Sequence, residues 1–275
     1  RSRKGDFIFM IGFIGGGNMA EASIKGIVSS QQSAVSSLLV SEPREDRRKY
    51  LQQTYGVKTT GSNVEVASSC NIIILAIKPQ NMAEVLDEIA DTVTDEKTVV
   101  SIAAGIAFSY LQSKLKTKKL IRVMPNTPAL IQEGISVMSM CECISDKDIM
   151  MVRDILMSVG RLLVLPEKYM NAVTALSGSG PAFISFFVEA MIEGGVKIGL
   201  TRDNAIELVI QTFIGTAKLL DTGMSPEKLR EMVTSPGGTT EAGLKVFNEQ
   251  RFKDTVISAI EAATNRAKEL GNKRG

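Results

Sequence analysis

Apolar residues run unbroken through "FIFMIGFI" (7–14). That is the pattern of a strand buried on both faces, not of one that alternates between core and water. Three glycines follow, and then a helix-periodic stretch to about Ser29. The alternation continues. "SSLLVSE" (36–42) reads as a second strand with a charged helix behind Pro43, and "NIIILAIKP" (71–79) as a third, stopped by Pro79 and followed by the helical "NMAEVLDEIADTV" (81–93). Further strands are predicted at "KTVVSIAAG" (97–105), "KLIRVMPN" (119–126), "GISVMSM" (134–140) and "GRLLVLPE" (160–167), the last two bracketing a helix over 146–158. Strands alternating with helices predict parallel pairing, hence an α/β fold with a doubly wound sheet of Rossmann type.

After Glu167 the strand signal stops, and helices are predicted at 169–176, 179–198, 201–222, 226–233, 239–249 and 251–270. The division is therefore 1–167, the sheet domain, and 168–275, an all-α domain, with no Pro/Gly/Ser linker between them. In "SGPAFISFFVEAMIEGGVKIGL" (179–200) the polar residues Ser185, Glu189, Glu193 and Lys197 fall four apart and form one narrow stripe. A helix with so little polar surface is buried on most sides. A small helical domain has few surfaces to offer it, so a second copy of the chain is expected to supply some of the packing, in preference to a monomeric bundle.

Composition narrows the function. The 275 residues are 44% hydrophobic and 23% charged, ordinary for a globular protein. A net charge of +2 gives no reason to expect nucleic acid, and the basic clusters Arg44–Lys49 and Lys114–Lys119 read as solvated faces. No apolar run in the sequence approaches the ~20 residues that span a bilayer, so no membrane is expected. Cys70, Cys141 and Cys143 are too few for a disulfide framework and point to a reducing compartment, cytoplasmic with a mitochondrial location left open. The start "RSRKGDF" is basic but short for a transit peptide. The Cys141/Cys143 pair has no further ligand nearby, so no metal is expected. The chain contains no histidine. That removes every Ser-His and Cys-His nucleophile and every imidazole acid or base.

Two glycine turns carry the candidate chemistry. Gly15-x-Gly17-x-x-Ala20 fits the dinucleotide fingerprint and sits where it should, between an apolar strand and a helix. Gly15 permits the tight turn, Gly17 lets a pyrophosphate approach, and Ala20 keeps helix and strand close. At the ribose end, Ser41-Glu42-Pro43-Arg44 closes the second strand. A carboxylate there accepts from the ribose hydroxyls of NAD, whereas Arg44, Arg47 or Arg48 would grip a 2′-phosphate; NADPH and NADH both stay open. The second turn, "TSPGGTTEAGL" (234–244), reads as a helix N-terminus able to hold a small anion.

The chain resembles pyrroline-5-carboxylate reductase over nearly its whole length, in "IGFIGGGNMA" (11–20), "LAIKP" (75–79), "SIAAG" (101–105), "RVMPNTPALIQEG" (122–134), "ALSGSGPAF" (175–183) and "VTSPGGTTEAGL" (233–244). The resemblance implies a Rossmann domain followed by a helical dimerisation domain that interlocks with a partner's, with a larger ring such as a decamer left open. It implies reduction of 1-pyrroline-5-carboxylate to L-proline by NAD(P)H. By motif, Gly15, Gly16, Gly17, Asn18, Met19 and Ala20 would hold the pyrophosphate, and Asn63, Ala76, Ile77, Lys78 and Ala104 would line the cofactor alongside Ser41 and Arg44. Ser235, Gly237, Gly238, Thr239 and Thr240 would cradle the substrate, with Thr240 facing the ring nitrogen and Glu167 near the substrate. Two positions depart from the family pattern: Glu42, where members carry Ser or Arg, and Met232, where some carry a polar residue.

A cyclic imine can enter protonated, and a cationic C=N accepts hydride without imidazole help. The rival readings are a β-hydroxyacid dehydrogenase, an imine reductase and a non-catalytic NAD(P)H sensor. The first needs a lysine base shortly after its glycine motif, and "GSGPAFISFF" has none; Lys197 lies far downstream.

Overall fold

The computed structural model describes residues 10–30 and 37–272. The basic N-terminal segment, residues 7–9 of the first expected strand and residue 36 of the second lie outside the described residues. The described residues fall into two compact units: those up to Ser179 together with 263–272, and residues 180–262.

The first unit is a three-layer α/β/α sandwich. Its strands are β1 (Met10–Ile14), β2 (Ser37–Ser41), β3 (Lys58–Thr60), β4 (Ile72–Leu75), β5 (Thr98–Ser101), β6 (Leu120–Met124), β7 (Gly134–Met140) and β8 (Gly160–Val164). They form one sheet in the order β3-β2-β1-β4-β5-β6-β7-β8. Helices α1 (Asn18–Ser29), α2 (Glu45–Tyr55) and α6 (Asp146–Met157) cover one face, and α3 (Asn63–Ser69), α4 (Met82–Ile89) and α5 (Phe108–Lys114) the other. β1 shows why. Ile11 and Phe13 point into the first core, Ile14 into the second. At Gly12 the strand meets α3 so closely that a Cβ would lie 2.4 Å from Val66 Cγ1. β4 and β5 are buried at every position, β4 as its continuous apolar run requires.

One strand departs from the parallel expectation: β7 runs antiparallel to β6. Only residues 125–133 join them, containing a short 3₁₀ turn, Thr127–Ile131, and a parallel return needs a crossover of a dozen or more residues. β3, α3 and α5 are elements the pattern reading did not separate. β3 pairs with β2 in parallel through a polar "KTT" that carries no hydrophobic signal.

The division between units falls at Ser179/Gly180, later than the 167/168 read from the sequence. The cause is that α7 (Met170–Val173) and the wide turn Thr174–Gly178 remain tied to the first unit by Met170, 2% exposed, and Ala175, fully buried.

The second unit contains α8 (Gly180–Lys197), α9 (Arg202–Asp221), α10 (Pro226–Met232), α11 (Thr239–Glu249) and the first part of α12 (Phe252–Asn272). Thr201 and Ser225 cap α9 and α10 by accepting from backbone N–H groups. Its core is small: Ile192, Ala205 and Val209, backed by Val188 and Phe213. Phe187 meets Phe213, Phe247 and Phe252 with ring centroids 6.0, 6.3 and 5.5 Å away. The helical run Glu167–Lys197 is long and apolar enough to cross a membrane by length and composition alone, because its polar residues are too sparse to bring its mean hydropathy down far, although they break it into apolar runs well short of ~20 residues.

Candidate active site

The strand order reverses direction between β1 and β4, and ligands of open α/β sheets bind in the crevice beyond the strand ends at such a point. The sequence-predicted cofactor residues gather there. Gly15 has φ +98 and donates its N–H to the Ser41 carbonyl at 2.9 Å. A Cβ on Gly15 would sit 2.6 Å from the Ala76 carbonyl oxygen and 2.9 Å from Ile77 Cγ2; that closeness puts Ala76 and Ile77 against the turn. Gly17 caps α1 with no side-chain hydrogen bond, and a Cβ there would meet nothing within 4 Å. The turn is therefore solid beneath Gly15 and open above Gly17. Asn18 is exposed and Ala20 buried, while Met19 packs toward Ala22, Ala129 and Val159. The first-turn N–H groups of α1 face that open space with no capping oxygen, which fits a dinucleotide pyrophosphate.

The ribose end is more structured than the sequence indicates. The Glu42 carboxylate, 7% exposed, accepts the Gly16 N–H at 3.1 Å, and the Arg44 N–H and Nε at 3.2 and 3.1 Å. Arg47 Nε donates to the Gly16 carbonyl at 2.7 Å, and its terminal nitrogen to Glu21. Glu21 also accepts the hydroxyls of Tyr50 and Tyr55 at 2.9 and 2.7 Å. Burial by itself would raise the Glu21 pKa, but its hydrogen bonds to Arg47, Tyr55 and Tyr50 outweigh it and hold the carboxyl below its ordinary value. Burial, and then its hydrogen bond to the Glu21 carboxylate, push the Tyr55 hydroxyl up. Ser41 Oγ donates to Asn63 Oδ1 at 2.7 Å, and Asn63 Nδ2 to Glu88 at 2.6 Å. Lys78 is exposed just before Pro79, and Ala104 is half-buried after β5. Glu42, Arg47, Glu21 and Glu88 are the site residues whose parts the sequence did not reveal.

Glu167 stands elsewhere in the first unit. Its Oε1 accepts from Arg122, whose side chain is 9% exposed, and from the Phe108 N–H at 2.8 Å. It ties β6 to the N-terminus of α5, where a carboxylate is favoured.

The turn Ser235–Gly238 belongs to the second unit. Gly237 has φ +71, and the Gly238 N–H donates to the Ser235 carbonyl at 3.0 Å. A Cβ on Gly238 would lie 2.6 Å from Ser235 Oγ. Gly238 caps α11 without a side chain. The sequence missed one occupant: Glu241 Oε2 accepts the Gly237 N–H at 2.7 Å. The turn already holds a carboxylate of its own, and the Thr239 and Thr240 N–H groups remain as first-turn donors. Thr239 is exposed and Thr240 half-buried. Elsewhere, Cys141 and Cys143 share the Lys118 carbonyl as acceptor, and no group of three metal-ligating residues occurs among the described residues.

The sheet order, the glycine turn and the helical second unit define a two-unit oxidoreductase of the NAD(P)-dependent Rossmann class. Residues 10–105 match the family described as NADP oxidoreductase, coenzyme F420-dependent, and residues 167–270 match pyrroline-5-carboxylate reductase dimerisation. Pyrroline-5-carboxylate reductase of Synechocystis sp. is 38% identical, covering 96% of this chain and 98% of its own. Pyrroline-5-carboxylate reductase 3 of Rattus norvegicus is 40% identical, covering 96% of each. The crystal structure of Plasmodium falciparum pyrroline carboxylate reductase with NADP bound superposes with TM-score 0.84 at 32% identity, covering 96% of this chain and 98% of that one. An imine reductase of Streptomyces aurantiacus, 15% identical with TM-score 0.57 and covering 95% of each chain, shares the fold alone. The chain belongs to the pyrroline-5-carboxylate reductase family.

Two predictions follow from the turn and its bracing. Gly17→Ala is expected to fold with unchanged Tm, since its Cβ meets nothing, and to weaken NADPH binding by about tenfold, roughly 1.4 kcal/mol; fluorescence titration reads the affinity, and an unchanged Kd speaks against pyrophosphate above Gly17. Glu21, with its carboxyl held low, adds stability that is fully present above the unfolded carboxyl pKa and is lost as pH falls through the folded one. Thermal melts of Glu21→Gln should accordingly lose less Tm than wild type between pH 6 and roughly pH 3.5; parallel losses would remove Glu21 as the acid-sensitive group.

Proposed function

We propose that this chain reduces 1-pyrroline-5-carboxylate to L-proline by hydride transfer from NAD(P)H. Kinship at 38% and 40% identity over nearly the full length carries the reading, and a glycine turn with open, uncapped donors supports it. When bound, the reduced nicotinamide supplies the hydride. Gly15 to Ala20 take the pyrophosphate, Ser41, Arg44 and Asn63 the adenosine end, and Ala76, Ile77, Lys78 and Ala104 line the dinucleotide.

In the substrate cradle the Thr239 and Thr240 N–H groups receive the imine acid's carboxylate, aided by the positive end of α11. Ser235, Gly237 and Gly238 shape that turn. The Thr240 hydroxyl accepts from the protonated ring nitrogen and holds it as its geometry changes. No proton need be moved by imidazole, because the iminium is already the electrophile. Once reduced, the neutral amine takes its proton from solvent. The protein's main contribution is orientation, worth up to ~7–11 kcal/mol in well-aligned systems. Glu167 we assign to the frame, since Arg122 and the Phe108 N–H take its carboxylate.

The helical unit we assign to a homodimer with interlocked helices, on which a ring such as a decamer can be built. Phe186 is 74% exposed and Ile198 82%, more apolar surface than a lone unit of this size tolerates. The free thiols support a reducing compartment, the cytoplasm first and the mitochondrial matrix second.

Thr240→Ala should lower kcat/KM for the imine acid by about 10–100-fold, the ~1–3 kcal/mol of a lost hydrogen bond, with NADPH affinity intact. Absorbance of the reduced cofactor under steady state measures it, and an unchanged kcat/KM removes Thr240 from the site. Phe186→Glu should shift the mass seen by light scattering toward the single chain; a wild type that is itself monomeric would refute the dimer.

A further inference from the structure

A carboxylate closing β2 ordinarily reads the ribose diol and marks an NADH enzyme. Here that carboxylate is turned inward. Glu42 is 7% exposed, and of the four or so acceptor positions on its two oxygens three are taken: by the Gly16 N–H, the Arg44 N–H and Arg44 Nε. A ribose diol could reach it only by breaking these bonds beneath the glycine turn. The Arg44 side chain, by contrast, is 63% exposed. Glu42 holds it at Nε, and its two terminal amino groups make no other hydrogen bond among the described residues. Arg48 adds charge at the same strand end. It donates to the carbonyls of Glu42 and Pro43 at 2.6 and 2.8 Å and has no carboxylate partner among the described residues. Arg47 is different, because Glu21 neutralises it. Beyond β2 one buried negative charge thus faces two positive ones, Arg44 and Arg48, with one guanidinium aimed and unspent.

We propose that Glu42 is a positioning residue that makes this chain selective for the 2′-phosphorylated dinucleotide: it braces Gly16 from below and aims Arg44, whose free terminal nitrogens grip the 2′-phosphate. The proposal rests on dinucleotide binding by the first unit and is indifferent to which substrate is reduced. A guanidinium fixed at one nitrogen and open at two suits a phosphate, because paired charge-assisted bonds add both geometry and strength. The carboxylate that closes β2, Glu42, is not free for a ribose diol.

The test uses fragments on the whole protein, so that turnover plays no part. Isothermal calorimetry compares 2′,5′-ADP with 5′-AMP, which differ only in the phosphate at issue. Wild type should bind 2′,5′-ADP at least about tenfold more tightly, as expected for a gained charge-assisted pair. Arg44→Ala should bring that ratio to about one, and Glu42→Gln should lower it several-fold. A loosened glycine turn would weaken both fragments alike and leave the ratio where it was. Should Glu42→Gln lose its fold by circular dichroism, Arg44→Lys reads the same step, since it keeps the charge and lacks the Nε that Glu42 holds. A ratio below wild type then supports positioning, and a wild-type ratio overturns it. Equal binding of the fragments by wild type, or a full ratio in Arg44→Ala, overturns the 2′-phosphate grip. Absence of imine reduction with either NADPH or NADH would be a failure of the proposed reaction and leaves the fragment ratio as an independent measurement.

Discussion

The first unit depends on one constraint at the turn between β1 and α1: its inward polar groups must all be satisfied by protein so that its outward donors stay free. Gly15 gives its N–H to Ser41, Gly16 gives its own to Glu42, and the Gly16 carbonyl receives Arg47. Buried backbone groups left unpaired would cost as much as lost hydrogen bonds, so the turn can be this tight only because β2 and α2 supply those partners. What remains is the first turn of α1, capped by a glycine that offers no oxygen. An anion is then the natural partner for it. Glu42, Arg47 and Glu21 spend their polar groups on the protein itself. They allow the turn to exist with its outward donors free.

The second turn solves the opposite problem. It is exposed, with one glycine in the left-handed region, and it satisfies part of itself with Glu241. A glutamate at the third helical position reaching back to an N–H ahead of the helix is a variant of the capping box. It fixes the turn while leaving the N–H groups of Thr239 and Thr240 outward. The Gly237 N–H beside them already donates to a carboxylate at 2.7 Å. Both turns thus follow one rule, an acidic side chain bracing the backbone so that neighbouring N–H groups are presented, and neither needs a histidine.

Much of this was legible in the sequence. β1 and β4 are apolar throughout because both faces are covered, and their runs announced them. The fingerprint located the tight turn between β1 and α1 because its glycines answer local demands: Gly15 adopts a positive φ, and Gly17 leaves space. Other features were present but faint. Ser62 followed by Glu65 is a capping signal for α3, and the Ser62 side chain does accept the Glu65 N–H. The length of the segment before β7 already forbade a parallel return. β3 was hidden because an edge strand of Lys58, Thr59 and Thr60 pairs through backbone alone. The use made of Glu42 was not legible at all. Its partner Gly16 lies 26 positions away, and a carboxylate facing a ribose is the same letter as one facing a glycine N–H.

The long apolar helix tests how far composition can be trusted. By length and hydropathy Glu167–Lys197 could cross a membrane, and within the single chain most of α8 is uncovered, only Ile192 being buried. The polar stripe decides against lipid. Glu189 and Glu193 fall in the apolar stretch with no ion-pair partner among the described residues, and a charged side chain at the centre of a spanning helix costs about 2.5–3.5 kcal/mol on insertion scales. A protein partner imposes no such cost, because a stripe four residues apart can stay at the rim of a helix–helix contact while Phe183, Ile184, Phe186 and Met191 are covered. The spacing of four polar residues thus reads a surface that hydropathy alone misassigns, and it favours a second protein surface over a bilayer.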